Sequence, residues 1–225
     1  MSSSEDGGNS RLVIVCEGEG DRAFFLNLMA TRGLQEFRVI IPSDKPDIPG
    51  GVDGFARRLR ALRAERDFDK IAGILVVSDN DDQPDGSFTK VQRQLTDSGG
   101  YPIPARPLEV ARSLSGPPVA VMMLPRTGQP GSLETLCVEA MQGAWPEVAR
   151  CVDEFCRCTS TGQWAPSKQS KMRLRAMVSA ICESDPNTGL PYAWSRRENL
   201  IPLNEPVFDE IGRFLNDFKR LIAHM

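Results

Sequence analysis

Histidine is almost missing from this sequence: His224, next to last in 225 residues, is the only one. A Ser-His or Cys-His catalytic pair would have to take its base from a chain end, where fraying is the rule. Paired metal-binding cysteines are missing too. Of six cysteines, Cys151, Cys156 and Cys158 lie close together, but without the C-x-x-C spacing of zinc sites. The cysteines read instead as reduced, small core fillers. No apolar run approaches the ~18 residues a membrane helix needs. Residues 1–10 have neither a charged nor an apolar leader segment, so a disordered tail and a cytoplasmic location are expected, with no membrane partner. An excess of basic charge is lacking as well. Lys+Arg is 27 against 30 for Asp+Glu, a net charge of −3. That excludes a simple strongly basic nucleic-acid module, whose pI exceeds ~9, but not a local basic groove.

What is present is a regular alternation. Arg11–Cys16 (RLVIVC), Phe37–Ile41, Ile71–Val77 (IAGILVV) and Val119–Leu124 (VAVMML) read as buried strands. Helical spacing recurs over Asp21–Met29, after Val52, over Phe88–Leu95 and over Gly131–Met141, where Ser132 is the candidate N-cap. Strand–helix alternation predicts an α/β fold: a mostly parallel, Rossmann-like sheet with helices on both faces. From Trp145 the strands stop. Pro146–Arg157, Ser167–Glu183 and Pro206–Ala223 read as helices, the last with Val207, Phe208, Ile211, Phe214, Leu215, Phe218, Leu221 and Ile222 on one face. The expected division is a tail (1–10), an α/β core (11–141) and a helical C-terminal extension packed on it (142–225).

Two acidic clusters fall at strand C-terminal ends, where open α/β sheets bind ligands. Glu17-Gly18-Glu19-Gly20-Asp21 follows the first strand, and Asp79-Asn80-Asp81-Asp82 the third. If those strands are neighbours, ~4.8 Å apart, their carboxylates can converge. Converging carboxylates repel unless a cation is present, and oxygen ligands without histidine or cysteine select Mg²⁺ or Mn²⁺. Each cluster also has a plain structural reading, Asp21 as a helix cap and Asp79–Asp82 as a turn. An EF-hand reading fails, because the loop starting at Asp81 has Gln92 at the twelfth place, where glutamate is needed.

A strand ending in E-G-x-x-D (Glu17, Gly18, Asp21), followed about sixty residues later by one ending in D-x-D (Asp79, Asp81), resembles the Toprim domain. Gly131-Ser132-Leu133-Glu134 is similar to the G-x-L-E segment of OLD-type nucleases and related standalone Toprim-like families. The resemblance spans about 11–141, and Ser167 onward resembles the lysine-bearing helical tail of those families. It implies that Glu17, Asp79, Asp81 and Glu134 hold Mg²⁺ or Mn²⁺ for phosphoryl transfer on nucleic acid. It also implies that Lys171, with Lys168 second, supplies positive charge to the transition state. No G-x-x-x-x-G-K-[ST] is present, so the ATPase half of OLD proteins has no counterpart. Tyr101 and Tyr192, the only tyrosines, give no sign of a strand-breaking nucleophile.

The remaining candidates concern phosphate. Gly18 and Gly20 allow either close backbone approach or a tight turn. Arg126 follows the fourth strand and is able to reach a phosphate or to serve as a surface residue. Lys168, Lys171, Arg173 and Arg175 sit in Thr159–Cys182, a stretch with no Asp or Glu. The arginines beyond Val52 read as a phosphate-contacting or merely solvated face. The expected function is a metal-dependent nuclease acting on DNA or RNA. The alternative is a catalytically retired Toprim-like module that binds or regulates a defence or repair partner protein.

Overall fold

The structure, a computed structural model, describes residues 11–34, 37–43, 50–114, 116–196 and 198–224. The expected tail and most of the Pro/Gly-rich segment after Ile41 lie outside the described residues. Five strands form one sheet: β1 (Leu12–Val15), β2 (Phe37–Ile40), β3 (Gly73–Asp79), β4 (Val110–Ala111) and β5 (Val119–Leu124). Their order is β2-β1-β3-β5-β4, parallel throughout except for β4, a two-residue antiparallel edge. The four parallel strands stand where their β-branched, apolar runs predict.

Period-two alternation builds two cores from these strands. Leu12, Ile14, Leu75, Val77, Ala120 and Met122 face one layer; Val13, Val15, Ile74, Val76, Val119 and Val121 face the other. The second layer is α2 (Phe55–Arg63) and α3 (Pro84–Ser98), through Phe55, Leu59, Leu62, Val91 and Leu95. The first layer holds α1 (Glu19–Arg32), α4 (Leu133–Ala144), α5 (Pro146–Cys158), α6 (Pro166–Ile181), the short α7 (Leu190–Ala193) and α8 (Asp209–Ala223). Phe24 of α1 packs against Phe208 and Trp194 at ring-centroid distances of 5.3 and 5.9 Å, so the C-terminal helices share their core with the sheet. Each such pair adds ~0.5–1.5 kcal/mol beyond area burial. Gly73 opens β3 beneath α8. A Cβ there would stand 3.1 Å from both Phe218 Cζ and Ile222 Cγ1, so glycine sets the depth at which α8 docks.

One feature of the topology places the site. The chain leaves β1 for α1 on one face and for β2 on one side; it leaves β3 for α3 on the other face and for β5 on the other side. The crevice between the C-terminal ends of β1 and β3 is therefore the switch point of the sheet. The pairing Val15↔Val76 brings Glu17, two residues on, level with Ser78.

Candidate functional site

Glu17 leaves β1 and turns back onto β3. Its Oε1 accepts from Ser78 Oγ at 2.6 Å and from the Asp79 N–H at 2.9 Å. The Gly51 N–H donates to the Glu17 carbonyl at 3.2 Å, which ties the residue ahead of the 52–54 turn to the end of β1. Asp79 is the last residue of β3, two beyond the end the sequence suggests; Ser78 and Asp79 still pair with Met123 and Leu124 of β5. Asp79 Oδ1 accepts from the Leu133 N–H at 3.0 Å, at the open end of α4. There the helix dipole favours negative charge. Asp21 Oδ2 accepts from the Gly18 N–H at 3.0 Å and so caps α1 while facing the same crevice. Glu134, in the first turn of α4, accepts from Ser132 Oγ at 2.7 Å through Oε2.

Electrostatics shows that these groups share one space. Burial, then the charge of Glu17, and then that of Glu134 lift Asp21 from 3.8 to about 7. Burial, then Asp21, Glu17 and Glu134, push Asp79 well above the carboxylate range. Glu17 is raised as well, since burial outweighs its bonds to Ser78 and Asp79. Lys171 of α6 answers them. Partial burial works against its ammonium, but Glu134, Asp79, Asp81 and Glu17 together hold its pKa above the ordinary lysine value. Raised carboxylates beside a raised lysine are the signature of negative charge packed into a poorly solvated place.

The surrounding loops are fixed by polar residues that periodicity does not reveal. Asn80 is buried, and its Nδ2 donates to the Arg126 and Gln129 carbonyls, each at 2.7 Å. Asp81 has φ 48°, a left-handed conformation that aspartate tolerates. Its carbonyl accepts from the Gly131 N–H at 2.6 Å. Gly131 itself has φ 134°, and a Cβ there would lie 2.5 Å from Thr135 Oγ1. Asp82 is an anchor: its Oδ1 accepts from Ser167 Oγ at 3.1 Å and from the Ser167 N–H at 3.3 Å, at the start of α6. Ser170 meets Thr135 Oγ1 at 2.9 Å. These contacts set the α6 turn that carries Lys171.

The structure thus brings together Glu17, Asp79, Asp81, Glu134 and Lys171, and adds Asp21, which caps α1 and feels the charges of Glu17 and Glu134. Other candidates go elsewhere. Arg126 is held by Glu139 at 2.6 Å and by Gln129, not left free for a phosphate. Arg173 is paired with Asp153. Lys168 lies on the exposed surface of the first turn of α6. Gly20 fits against Leu190 of α7, whose Cδ2 would be 3.2 Å from a Cβ, so its role is close packing. Gly18 is the extended N-cap of α1. Along α2, Arg57, Arg60 and Arg63 donate to the Pro42, Asp97 and Gly99 carbonyls, and Arg58 pairs with Glu65. Four cysteines are buried and two exposed, all unpaired.

The donor set suits a hard divalent cation in kind: carboxylate oxygens, gathered and partly desolvated, with no histidine or thiolate among them. In arrangement the fit is incomplete. Among the described residues no group of three or more Asp, Glu, His or Cys side chains is placed to hold a metal ion, and Glu17, Asp79 and Glu134 each commit one oxygen to a neighbouring donor.

Fold and site together define an α/β protein with an acidic crevice at the switch point of a mostly parallel sheet. The chain belongs to the family described as protein of unknown function DUF3226, which matches residues 11–220. No curated protein and no solved structure matches it.

Proposed function

We propose that this is a Toprim-like, Mg²⁺- or Mn²⁺-dependent phosphoryl-transfer protein that acts as a nuclease on DNA or RNA. The observation that carries the reading is the convergence of Glu17, Asp21, Asp79, Asp81 and Glu134 on Lys171 at the switch point. Glu17, Asp79, Asp81 and Glu134 would hold the cation. A bound divalent ion would supply Lewis-acid charge and lower the pKa of water. Ser78 and the Asp79 N–H orient Glu17, and the Leu133 N–H orients Asp79. Lys171 stays protonated and offers charge to a transferring phosphoryl group. Asp82, by fixing Ser167, holds α6 so that Lys171 keeps that place. A cytoplasmic setting suits six unpaired thiols.

The test is cleavage of plasmid and single-stranded DNA and RNA in Mn²⁺ or Mg²⁺, with Glu17→Ala alongside. The reading expects wild-type cleavage and its loss in the variant. Equal cleavage by both proteins, or none by either on every substrate, overturns it. One observation favours a second reading, a retired module that binds a protein partner: the carboxylates have neighbouring donors, and no three among the described residues are set to share an ion. That reading predicts weak Mn²⁺ binding or none.

A further inference from the structure

Beside the acidic crevice runs a groove of about 380 Å³, within the ~300–1,000 Å³ range of ligand pockets. One wall is a single face of α6: Lys171, Leu174, Arg175, Val178 and Ser179, at spacings of three and four. The other wall is Pro186–Pro191, ending in Leu190 and Pro191 of α7. Glu134 and Lys171, which belong to the acidic crevice, also line it, so the groove adjoins the carboxylates. Its lining offers three kinds of surface. Lys171 and, one turn on along α6, Arg175 are cationic, neither with a carboxylate within ion-pair distance among the described residues. Leu174, Val178, Leu190 and Pro191 make an apolar bed. Asn187 supplies a polar edge, and Ser179 Oγ donates to the Pro186 carbonyl at 2.7 Å, joining the two walls.

Charge, an apolar surface and an amide are what the phosphate, the base face and the base edge of a nucleotide each call for. We propose that this groove holds one nucleotide of a single strand next to the phosphate being transferred, with Arg175 on the flanking phosphate and the base on the Leu174–Leu190 bed. Bases inside a duplex are stacked and paired, so entry requires an unpaired or extruded nucleotide. The substrate class is therefore single-stranded nucleic acid or a frayed end, not an intact duplex. This inference rests on the phosphoryl-transfer reading for what stands beside the groove, but binding tests it independently of cleavage.

Fluorescence anisotropy with a short labelled oligothymidylate, and with a blunt duplex of the same length, in EDTA gives the readout. Wild type should bind the single strand at least about tenfold more tightly than the duplex. Arg175→Glu should weaken the single-strand complex about tenfold or more. It should also lower the slope of log affinity against log salt by about 0.7, one single-strand phosphate contact. Asn187→Trp, which fills the groove from an exposed position and leaves the charge unchanged, should weaken it without changing that slope. Both variants should keep the wild-type melting temperature. Failure of wild type to bind the single strand, equal affinity for strand and duplex, or wild-type binding by both variants overturns the inference. If wild type cuts DNA while the groove variants bind and cut normally, the groove assignment falls and the phosphoryl-transfer reading stands. If the variants lose binding but wild type never cuts, the reverse holds.

Discussion

Ser78 shows how little of an acidic site is acidic. It is buried, points at Glu17 and competes with the burial that raises the Glu17 pKa. Ser78→Ala should therefore lower Mn²⁺ affinity by about 10–100-fold, the usual effect of removing a residue that orients a ligand, while unfolding free energy falls by only ~1 kcal/mol in denaturant melts. Asp21 gives a prediction of the opposite kind. Its carboxyl is raised from 3.8 to about 7 by burial and by Glu17 and Glu134, so the folded chain keeps a proton that the unfolded chain has released. Stability from this group is full below 3.8 and is lost as the pH rises through about 7. In EDTA, Asp21→Asn should melt higher than wild type above pH 7 and show no such gain at the acid end. A melting difference that does not grow with pH would contradict the assignment. In the sequence Asp21 reads as cap or as motif residue, because both roles need a short carboxylate at the same place. Ser78 and Asn80 carry no readable signal, since their meaning comes from partners 61 and 46 or more positions away.

Elements with a strong period are legible, and short or buttressed ones are not. LVIV, the run from Gly73 and VAVMML announce β1, β3 and β5, and every residue of those runs up to Ser78 is buried. β4 has only two residues and α7 only four, too few for any period to show. α3 begins at Pro84, four residues before its apolar spacing starts, because proline suits a first helical turn. The join between α8 and β3 depends on a single missing side chain. Gly73→Val would push against Phe218 and Ile222 and should cost ~1–3 kcal/mol by overpacking. Phe218→Ala should cost ~3–5 kcal/mol, because Phe218 is fully buried. Urea melts read both. A loss below ~1 kcal/mol for Phe218→Ala would mean that α8 is an appendage and not part of the core.

At the scale of the whole molecule, the net charge of −3 conceals a segregation. Five carboxylates crowd the switch point, and Lys171 faces them from α6. Strand order made that crowding: only because β1 lies between β2 and β3 do the two acidic motifs meet. The neighbourhood of β1 and β3 is a condition that the sequence states without being able to test. No helix among the described residues is long and apolar enough to cross a membrane. The central claim is that the crowded carboxylates take a divalent cation, and a calorimetric titration of Mn²⁺ above pH 7 tests it most directly. Wild type should bind, and at a hundredfold excess over Kd should gain about 2.7 kcal/mol of stability, whereas Glu17→Ala and Asp79→Asn should bind far more weakly. Absence of binding by wild type, or equal binding by all three proteins, would contradict it.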